Sequence, residues 1–218
     1  MKVTAAVFTV VALTIGLAFA GTEASPDDIR LPAPRMEGGK PLFTALSERR
    51  SSRDFSDKPL PMQVVSDLLW AAFGINRADS GKRTAPSARN WQEIDVYVVL
   101  AEGAYRYDAK NNVLRAVAKG DLRALTGKQT FVAKAPLNLV YVANPAKMTG
   151  ASDDDRVLYY SAGAGFISQN VYLFCASEGL GTVVRGLVDR KVLAEALKLP
   201  ETLRIVLAQT VGYPEGGK

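Results

Sequence analysis

A long run without a charged side chain, from Val157 to Ser177, constrains the fold of this chain most strongly. The run is long enough to span a bilayer, but Gln169 and Asn170 are too polar for lipid, and Gly163 and Gly165 are unusually small. A helix that is apolar or small on every side is typical of a buried position. We therefore predict a central helix packed against other helices, including those of a second subunit.

Features at both ends of this run fit such a helix. Ser152 and the acidic residues 153–155 precede it, and negative charge stabilises a helix N-terminus. These carboxylates lack the remaining ligands and the glycine of a calcium loop, so capping is the favoured interpretation. Gly179 is predicted to end the helix, and Gly181 to let the backbone approach a ligand closely. The simpler alternative is a core helix with a glycine cap and no ligand.

The first 20 residues have the features of a secretory signal peptide. A lysine at the second position is followed by apolar residues from Val3 to Leu17, and Ala18-Phe19-Ala20 fits the small-x-small cleavage rule. We expect cleavage after Ala20 and export, most simply to the periplasm, with no membrane span left; an uncleaved anchor is the alternative. Residues 21–40, rich in proline and charge, are predicted to form an extended linker before a single domain over 41–218.

The chain has no histidine and a single cysteine, Cys175. Ser-His-Asp and Cys-His catalysis, histidine-ligated metals, zinc thiolate sites and iron–sulfur clusters are therefore excluded. An enzyme of this composition would take its chemistry from an organic cofactor. The formal net charge of +5 is mild and no long basic helix occurs, which argues against nucleic acid as a partner.

The densest local charge pattern is Arg49-Arg50-Ser51-Ser52-Arg53, called here the arginine segment. Three guanidinium groups and two hydroxyls within five positions suit a phosphate, because arginine makes forked, charge-assisted hydrogen bonds. The alternative is a solvated helix C-terminus, where cations interact favourably with the helix dipole. The spacing alone leaves both interpretations open.

Hydrophobic periodicity predicts one α+β domain in which helices and strands intermix. No GxGxxG follows a strand and no GxxxxGK[ST] occurs, which excludes Rossmann and P-loop folds. A polar loop, 77–90, interrupts the pattern and is long enough to be functional. Asp121 is a candidate cap for a short helix. The predicted helices are 42–50, 61–73, 121–127 and 189–197, and the predicted strands are 94–100, 104–108, 111–115, 137–143 and 203–211.

Separated motifs occur in an order that resembles one family. RRSSRDF lies near the start, PSARN precedes the first predicted strand, and GKQTFVAKAPLNLVYV leads into and covers a later one. The uncharged helix ends in GLGTVVRG, and VGYP closes the last strand. Over residues 41–214 the chain is similar to the FMN-dependent nitroreductases, including their SagB-type dehydrogenase relatives.

The resemblance implies an α+β fold with a mixed, mostly antiparallel sheet surrounded by helices, in an intertwined homodimer. It implies two FMN molecules bound between subunits. The arginine segment would hold the phosphate, ribityl chain and ring edge, a loop would come from the other subunit, an amide would contact the ring, and a backbone N–H beneath the ring would meet flavin N5. The family's C-terminal Lys-x-Arg clamp is missing, and only Lys218 could replace it. The matching positions are Arg49, Arg50, Ser51 and Arg53; Pro86, Ser87, Ala88 and Asn90; Gln129; and Val183, Val184, Arg185 and Gly186.

The implied reaction is a ping-pong transfer of hydride or electrons from a donor such as NAD(P)H, through FMN, to a nitro compound, quinone or other small acceptor. Export would separate the enzyme from cytoplasmic NAD(P)H, so a SagB-like dehydrogenase or oxidase acting on another substrate is an alternative. Arg185 is the catalytic candidate, stabilising negative charge on reduced flavin or orienting an anionic substrate. Two non-enzymatic alternatives stay open: an exported flavin-binding protein, and a solute-binding or scaffold protein with an empty pocket.

Overall fold

The computed structural model describes residues 27–216, so the predicted signal peptide and Lys218 lie outside the described residues. The strands are β1 (Ile29–Arg30), β2 (Ile75–Arg77), β3 (Lys82–Arg83), β4 (Ile94–Val99), β5 (Gly103–Asp108), β6 (Val113–Lys119), β7 (Leu137–Ala143), β8 (Gly181–Arg185) and β9 (Arg204–Gly212). The α-helices are α1 (Leu42–Glu48), α2 (Met62–Phe73), α3 (Phe131–Lys134), α4 (Asp153–Glu178) and α5 (Arg190–Ala196).

A seven-stranded sheet in the order β1-β6-β5-β4-β7-β9-β8 forms the centre of the molecule. Side chains alternate across it: Leu139 of β7 belongs to the core under α2 and α4, whereas Val140 belongs to the core under α5. Every residue of β7 is buried, because helices cover both faces. The predicted α+β class with a mostly antiparallel sheet surrounded by helices is confirmed, and every strand pair within residues 27–216 is antiparallel.

Several segments that lack a strong periodic pattern differ from their predictions. The predicted loop 77–90 holds β3 and a 3₁₀ turn at Ala88–Asn90, because β2 and β3 pair as a small hairpin. Residues 181–185, for which no strand is predicted, form the edge strand β8. Asp121 does not cap an α-helix; it accepts the N–H of Arg123 at 3.0 Å at the start of a 3₁₀ turn.

Helix α4 has the predicted ends. Ser152 accepts the N–H of Asp155 at 3.2 Å, and Gly179 ends the helix with a left-handed φ of 70°. Burial is one-sided within a single chain, since Ile167 is 1% exposed and Phe166 is 48% exposed. No helix within residues 27–216 is long and apolar enough to cross a membrane.

The described part of the predicted linker, residues 27–40, is integrated into the fold. Strand β1 pairs with β6, and Leu31 is buried in the main core. The Arg35 guanidinium lies 2.7 Å from the buried carboxylate of Asp67 on α2. The extended conformation fits the prediction, but these contacts make the segment part of the domain rather than a free spacer.

Candidate functional site

The arginine segment and the glycine-rich stretch meet directly in the folded chain. The Ser52 N–H donates to the carbonyl oxygen of Thr182 in β8 at 2.9 Å. At Gly181 an added Cβ would lie 3.2 Å from the Ser52 side chain, so glycine permits this close approach. The two regions that the sequence analysis singled out therefore form one continuous site.

The cations of the arginine segment have no carboxylate partner among the residues that the structure describes. None of the ion pairs within residues 27–216 involves Arg49, Arg50 or Arg53. Arg49 is half-buried, with its guanidinium carbon 5.3 Å from the centre of the Tyr172 ring, while the other two are exposed. Helix α1 ends just before them, so the helix dipole also favours positive charge here. This arrangement leaves three guanidinium groups available to an anionic ligand.

Tyr172 of α4 links the arginine segment to β8. Its hydroxyl lies 2.8 Å from Ser51 Oγ and accepts the N–H of Val184 at 3.0 Å. The side chain is only 7% exposed. Sequence reasoning missed this residue, and its only signal was a phenolic hydroxyl in a predicted buried helix, where such a group needs a partner.

The hydrogen bonds of β8 show which backbone groups face outwards. The Thr182 carbonyl and the Val184 N–H both bond to groups outside the sheet, so in an antiparallel ladder Val183 and Arg185 bond towards β9. Val184 N–H is already used by Tyr172. β8 ends at Arg185, and Gly186 follows it directly.

The Arg185 side chain points into the fold and is 5% exposed. Its guanidinium donates to the Thr126 carbonyl oxygen at 2.7 Å, and to Asn138 Oδ1 and Thr210 Oγ1 at 2.8 Å each. Burial lowers the pKa of Arg185 to about 10, so the group stays charged at neutral pH. All three acceptors are neutral. The side chain is committed to internal contacts, which does not suit the predicted role of orienting a substrate from solvent.

Gly127 and Gln129 complete the surroundings of this guanidinium. A Cβ added at Gly127 would overlap the Arg185 guanidinium, so only glycine leaves room for it. Gln129 Oε1 and Arg185 Nε are buried polar atoms without a hydrogen-bond partner within residues 27–216. An unsatisfied buried polar group costs about 1–3 kcal/mol. Because Gln129 is only half-buried, its Oε1 marks a place where a ligand could supply the missing partner, whereas Arg185 Nε lies in the interior.

The loop 86–90 is held by its own internal contacts. Ser87 Oγ donates to the buried Glu93 carboxylate at 2.6 Å and accepts the Gln92 N–H at 2.8 Å. Arg89, Asn90 and Gln92 have φ values of 48°, 56° and 49°, an uncommon conformation for residues other than glycine. Sequence reasoning missed Glu93, which organises this turn.

Within one chain, this loop and the arginine segment stay apart. No hydrogen bond, ion pair or ring contact joins Pro86, Ser87, Ala88 or Asn90 to residues 49–53 or to β8 in the described part of the chain. The structure thus brings together the arginine segment, Gln129 and residues 183–186. It leaves the loop 86–90 at a different place on the surface.

A cavity of about 580 Å³ lies beside the arginine segment. A second cavity, of about 550 Å³, lies between α2, α4 and residues 35–40. The first places Arg49 and Arg50 opposite the end of α4 and the start of β8. Its other lining residues include Ser52, Tyr172, Cys175, Gly179 and Thr182.

Comparisons with known proteins agree with this geometry. Residues 46–213 match the model of the nitroreductase family. A protein of Methanocaldococcus jannaschii, named provisionally as a nitroreductase, is 33% identical over 185 residues, which cover 80% of this chain and 92% of that protein. A chloronitrobenzene nitroreductase of Comamonas testosteroni is 24% identical over 214 residues, covering 78% of this chain and 85% of that protein.

A solved structure extends the similarity to the whole fold. The crystal structure of a protein from Ralstonia eutropha JMP134, also named provisionally as a nitroreductase, has 46% sequence identity and a TM-score of 0.83. The match covers 87% of this chain and 90% of that one. The family model, the archaeal relative and this structure confirm the resemblance found in the motifs, and the chain belongs to the nitroreductase family of oxidoreductases.

Proposed function

We propose that this protein is an FMN-dependent oxidoreductase that passes electrons from a small donor to a nitro compound, a quinone or another small acceptor. The observation that carries the proposal is the junction between the arginine segment and β8, made by Ser52, Thr182 and the Tyr172 bridge. The guanidinium groups of the arginine segment and the outer edge of β8 lie side by side there. FMN, when bound, would supply the redox chemistry by accepting and releasing a hydride equivalent.

The residues of the site fit the phosphate end of FMN. Arg49, Arg50 and Arg53 carry three charges with no carboxylate partner in the described chain, and Ser51 adds a hydroxyl. Charge-assisted hydrogen bonds to a phosphate contribute about 1.5–3 kcal/mol each. These residues would anchor the cofactor through its phosphate.

The buried end of the site fits an isoalloxazine ring. Gln129 Oε1 is an acceptor without a partner in the described structure, which a ring N–H can satisfy. The segment from Val183 to Gly186 would lie beneath the ring. Arg185 lies behind this segment, and its buried charge would favour added negative charge on the ring without direct contact with a substrate.

We also propose that two copies form the complete site. Exposed apolar side chains cover neighbouring helices, with Phe43 84%, Leu42 61% and Leu158 61% exposed. Apolar patches of this kind mark protein interfaces. The loop 86–90, distant from its own arginine segment, would reach the flavin of the partner. Because the Ser87 hydroxyl is already bonded to Glu93, the loop would offer backbone groups rather than this hydroxyl.

The reaction partners of the enzyme follow from the proposed site rather than from any one residue. An open cofactor edge would admit a donor such as NAD(P)H first and an acceptor after the donor has left, which gives ping-pong kinetics. Export to the periplasm, if the N-terminal 20 residues act as a signal, would require a donor present outside the cytoplasm.

The decisive experiment is an absorbance spectrum of the purified mature protein. We expect a flavin band near ~450 nm and release of FMN on denaturation. Steady-state assays with NADH and NADPH against quinones and nitroaromatics should then give parallel double-reciprocal lines. Light scattering should give the mass of a dimer. A colourless protein that takes up no added FMN would show that the proposed function is wrong.

A further inference from the structure

The hydroxyl of Tyr172 occupies a position that the proposed cofactor chemistry does not explain by itself. It is enclosed between Ser51 at the end of the first helix and Val184 in the edge strand, 121 residues and 12 residues away along the chain. The ring below it contacts the Arg49 guanidinium at 5.3 Å from its centre. One side chain thus contacts both the arginine segment and β8.

The surroundings of the Tyr172 hydroxyl favour one direction for each of its two hydrogen bonds. Val184 N–H can only donate, so Tyr172 Oη accepts from it. The phenol is 7% exposed, and within residues 27–216 the remaining partner of its own hydrogen is Ser51 Oγ, 2.8 Å away. The opposite direction would leave the phenolic hydrogen without an acceptor there, so Ser51 Oγ is the favoured acceptor and the hydrogen of the Ser51 hydroxyl is left free. Ser51 is exposed, so this hydrogen faces incoming ligands.

We infer that Tyr172 is a positioning residue that sets the Ser51 hydroxyl as a donor to the phosphate held by the arginine segment. The inference rests on the proposed function, since it assumes that a phosphorylated flavin binds here. An anion needs donors only, and a serine free to rotate presents a lone pair as readily as a hydrogen. The hydrogen bonds that link Val184, Tyr172 and Ser51 orient the Ser51 hydroxyl before the ligand binds.

The test is a double-mutant cycle on FMN affinity. Tyr172→Phe keeps the ring and its contact with Arg49 but removes the hydroxyl, and Ser51→Ala removes the donor. We expect Tyr172→Phe to raise the Kd for FMN about fivefold, Ser51→Ala about tenfold, and the double variant also about tenfold, because one acts through the other. Flavin fluorescence quenching measures each Kd. Tyr160→Phe, earlier in the same helix, is the matched control and should change the Kd less than about twofold.

Riboflavin, which lacks the phosphate, separates positioning from a general structural role. We expect each variant to shift the Kd for riboflavin by less than about twofold, so the preference for FMN over riboflavin falls. A loosened fold would weaken both ligands alike and would overturn the inference. Independent effects, giving about 50-fold in the double variant, would overturn it too, as would an unchanged Kd for FMN in Tyr172→Phe. If the wild type binds neither flavin, the proposed function fails first; if it binds FMN and only Tyr172→Phe is silent, this inference alone fails.

Discussion

Arginines occur in two contrasting settings around the proposed site. Arg50 and Arg53 are exposed and lack a carboxylate partner in the described chain, whereas Arg185 is buried and bonded to three neutral oxygens. The first group has donors to spare for a ligand; the second has most of its donors used inside the protein. An exposed arginine is available to bind a ligand, whereas a buried arginine stabilises the fold. The burial of the side chain, rather than its spacing in the sequence, decides between these two roles.

The largest effect should come from removing the buried guanidinium. Arg185→Ala leaves the Thr126 carbonyl oxygen and Thr210 Oγ1 without their donor, while Asn138 Oδ1 keeps only its hydrogen bond from Thr210, and we expect a loss of about 3 kcal/mol in the free energy of unfolding. Urea denaturation of the flavin-free protein measures it. Arg190→Ala is the matched control, since Arg190 also donates to backbone carbonyls but is exposed.

That control should cost less than about 1 kcal/mol. Arg185→Lys keeps the charge but loses the planar, forked set of guanidinium donors. Its free energy of unfolding should therefore lie between those of the wild type and Arg185→Ala. A loss below about 1 kcal/mol in Arg185→Ala would mean that the internal bonds contribute little, and the contrast between the two settings would break down.

The exposed group should show the opposite profile. Replacing Arg49, Arg50 and Arg53 together by glutamine should raise the Kd for FMN about 100-fold, while the free energy of unfolding changes by less than about 1 kcal/mol. The affinity of the wild type should also fall more steeply with added salt than that of the triple variant, because salt screens exposed charges. Titration at several ionic strengths measures both.

Lys191→Gln on α5 controls for the loss of positive charge elsewhere and should leave the Kd for FMN unchanged within about twofold. A triple variant that binds FMN normally would show that the arginine segment is only a solvated helix end. That was the alternative left open by its spacing.

A third, smaller effect is expected at Gly127, which leaves space for the buried guanidinium of Arg185. Gly127→Ala places a methyl group where the Arg185 guanidinium lies, at an extended φ of 179° that any residue can adopt, so the cost is steric alone. We expect about 2 kcal/mol of destabilisation, measured by urea denaturation. In Gly186→Ala the nearest atom to the new Cβ is 3.9 Å away, and stability should change by less than about 1 kcal/mol.

The combination of Gly127→Ala with Arg185→Ala sharpens this test. Once the guanidinium is gone, the added methyl group has space, so the double variant should be less destabilised than the sum of the two single variants. Simple additivity would show that the two residues do not share one site.

Local patterns predicted the parts of the fold that depend on neighbours in sequence. Strand β7 matches its apolar run from Leu137 to Ala143, and α4 ends at the predicted Gly179. Strand β8 was missed because glycine is depleted in strands, and only pairing with β9 makes Gly181 part of one. Composition alone predicts a linker over residues 27–40, because their contacts with α2 and β6 are with residues remote in sequence.

The site shows the same division. The arginine segment is visible in the sequence as a charge pattern. The order of the motifs along the chain indicates the family. Tyr172, Glu93 and the orientation of Arg185 were beyond sequence reasoning, since each depends on contacts set by the folded chain. Along a strand, one residue of register decides whether an arginine faces a ligand or the core.

The smallest effect on stability is expected at Gln129. Its Oε1 is buried without a partner in the described structure, so the flavin-free protein loses little when it is removed. Gln129→Leu should leave the free energy of unfolding within about 1 kcal/mol of the wild type, or raise it, because an unsatisfied acceptor is replaced by an apolar group. The same variant should raise the Kd for FMN about tenfold if a flavin N–H is the missing partner. Urea denaturation and flavin fluorescence together measure the two quantities. If Gln129→Leu destabilised the protein without weakening FMN binding, Gln129 would belong with Arg185 among the residues that stabilise the fold. The division between fold-stabilising and ligand-binding side chains would then lie closer to the cofactor.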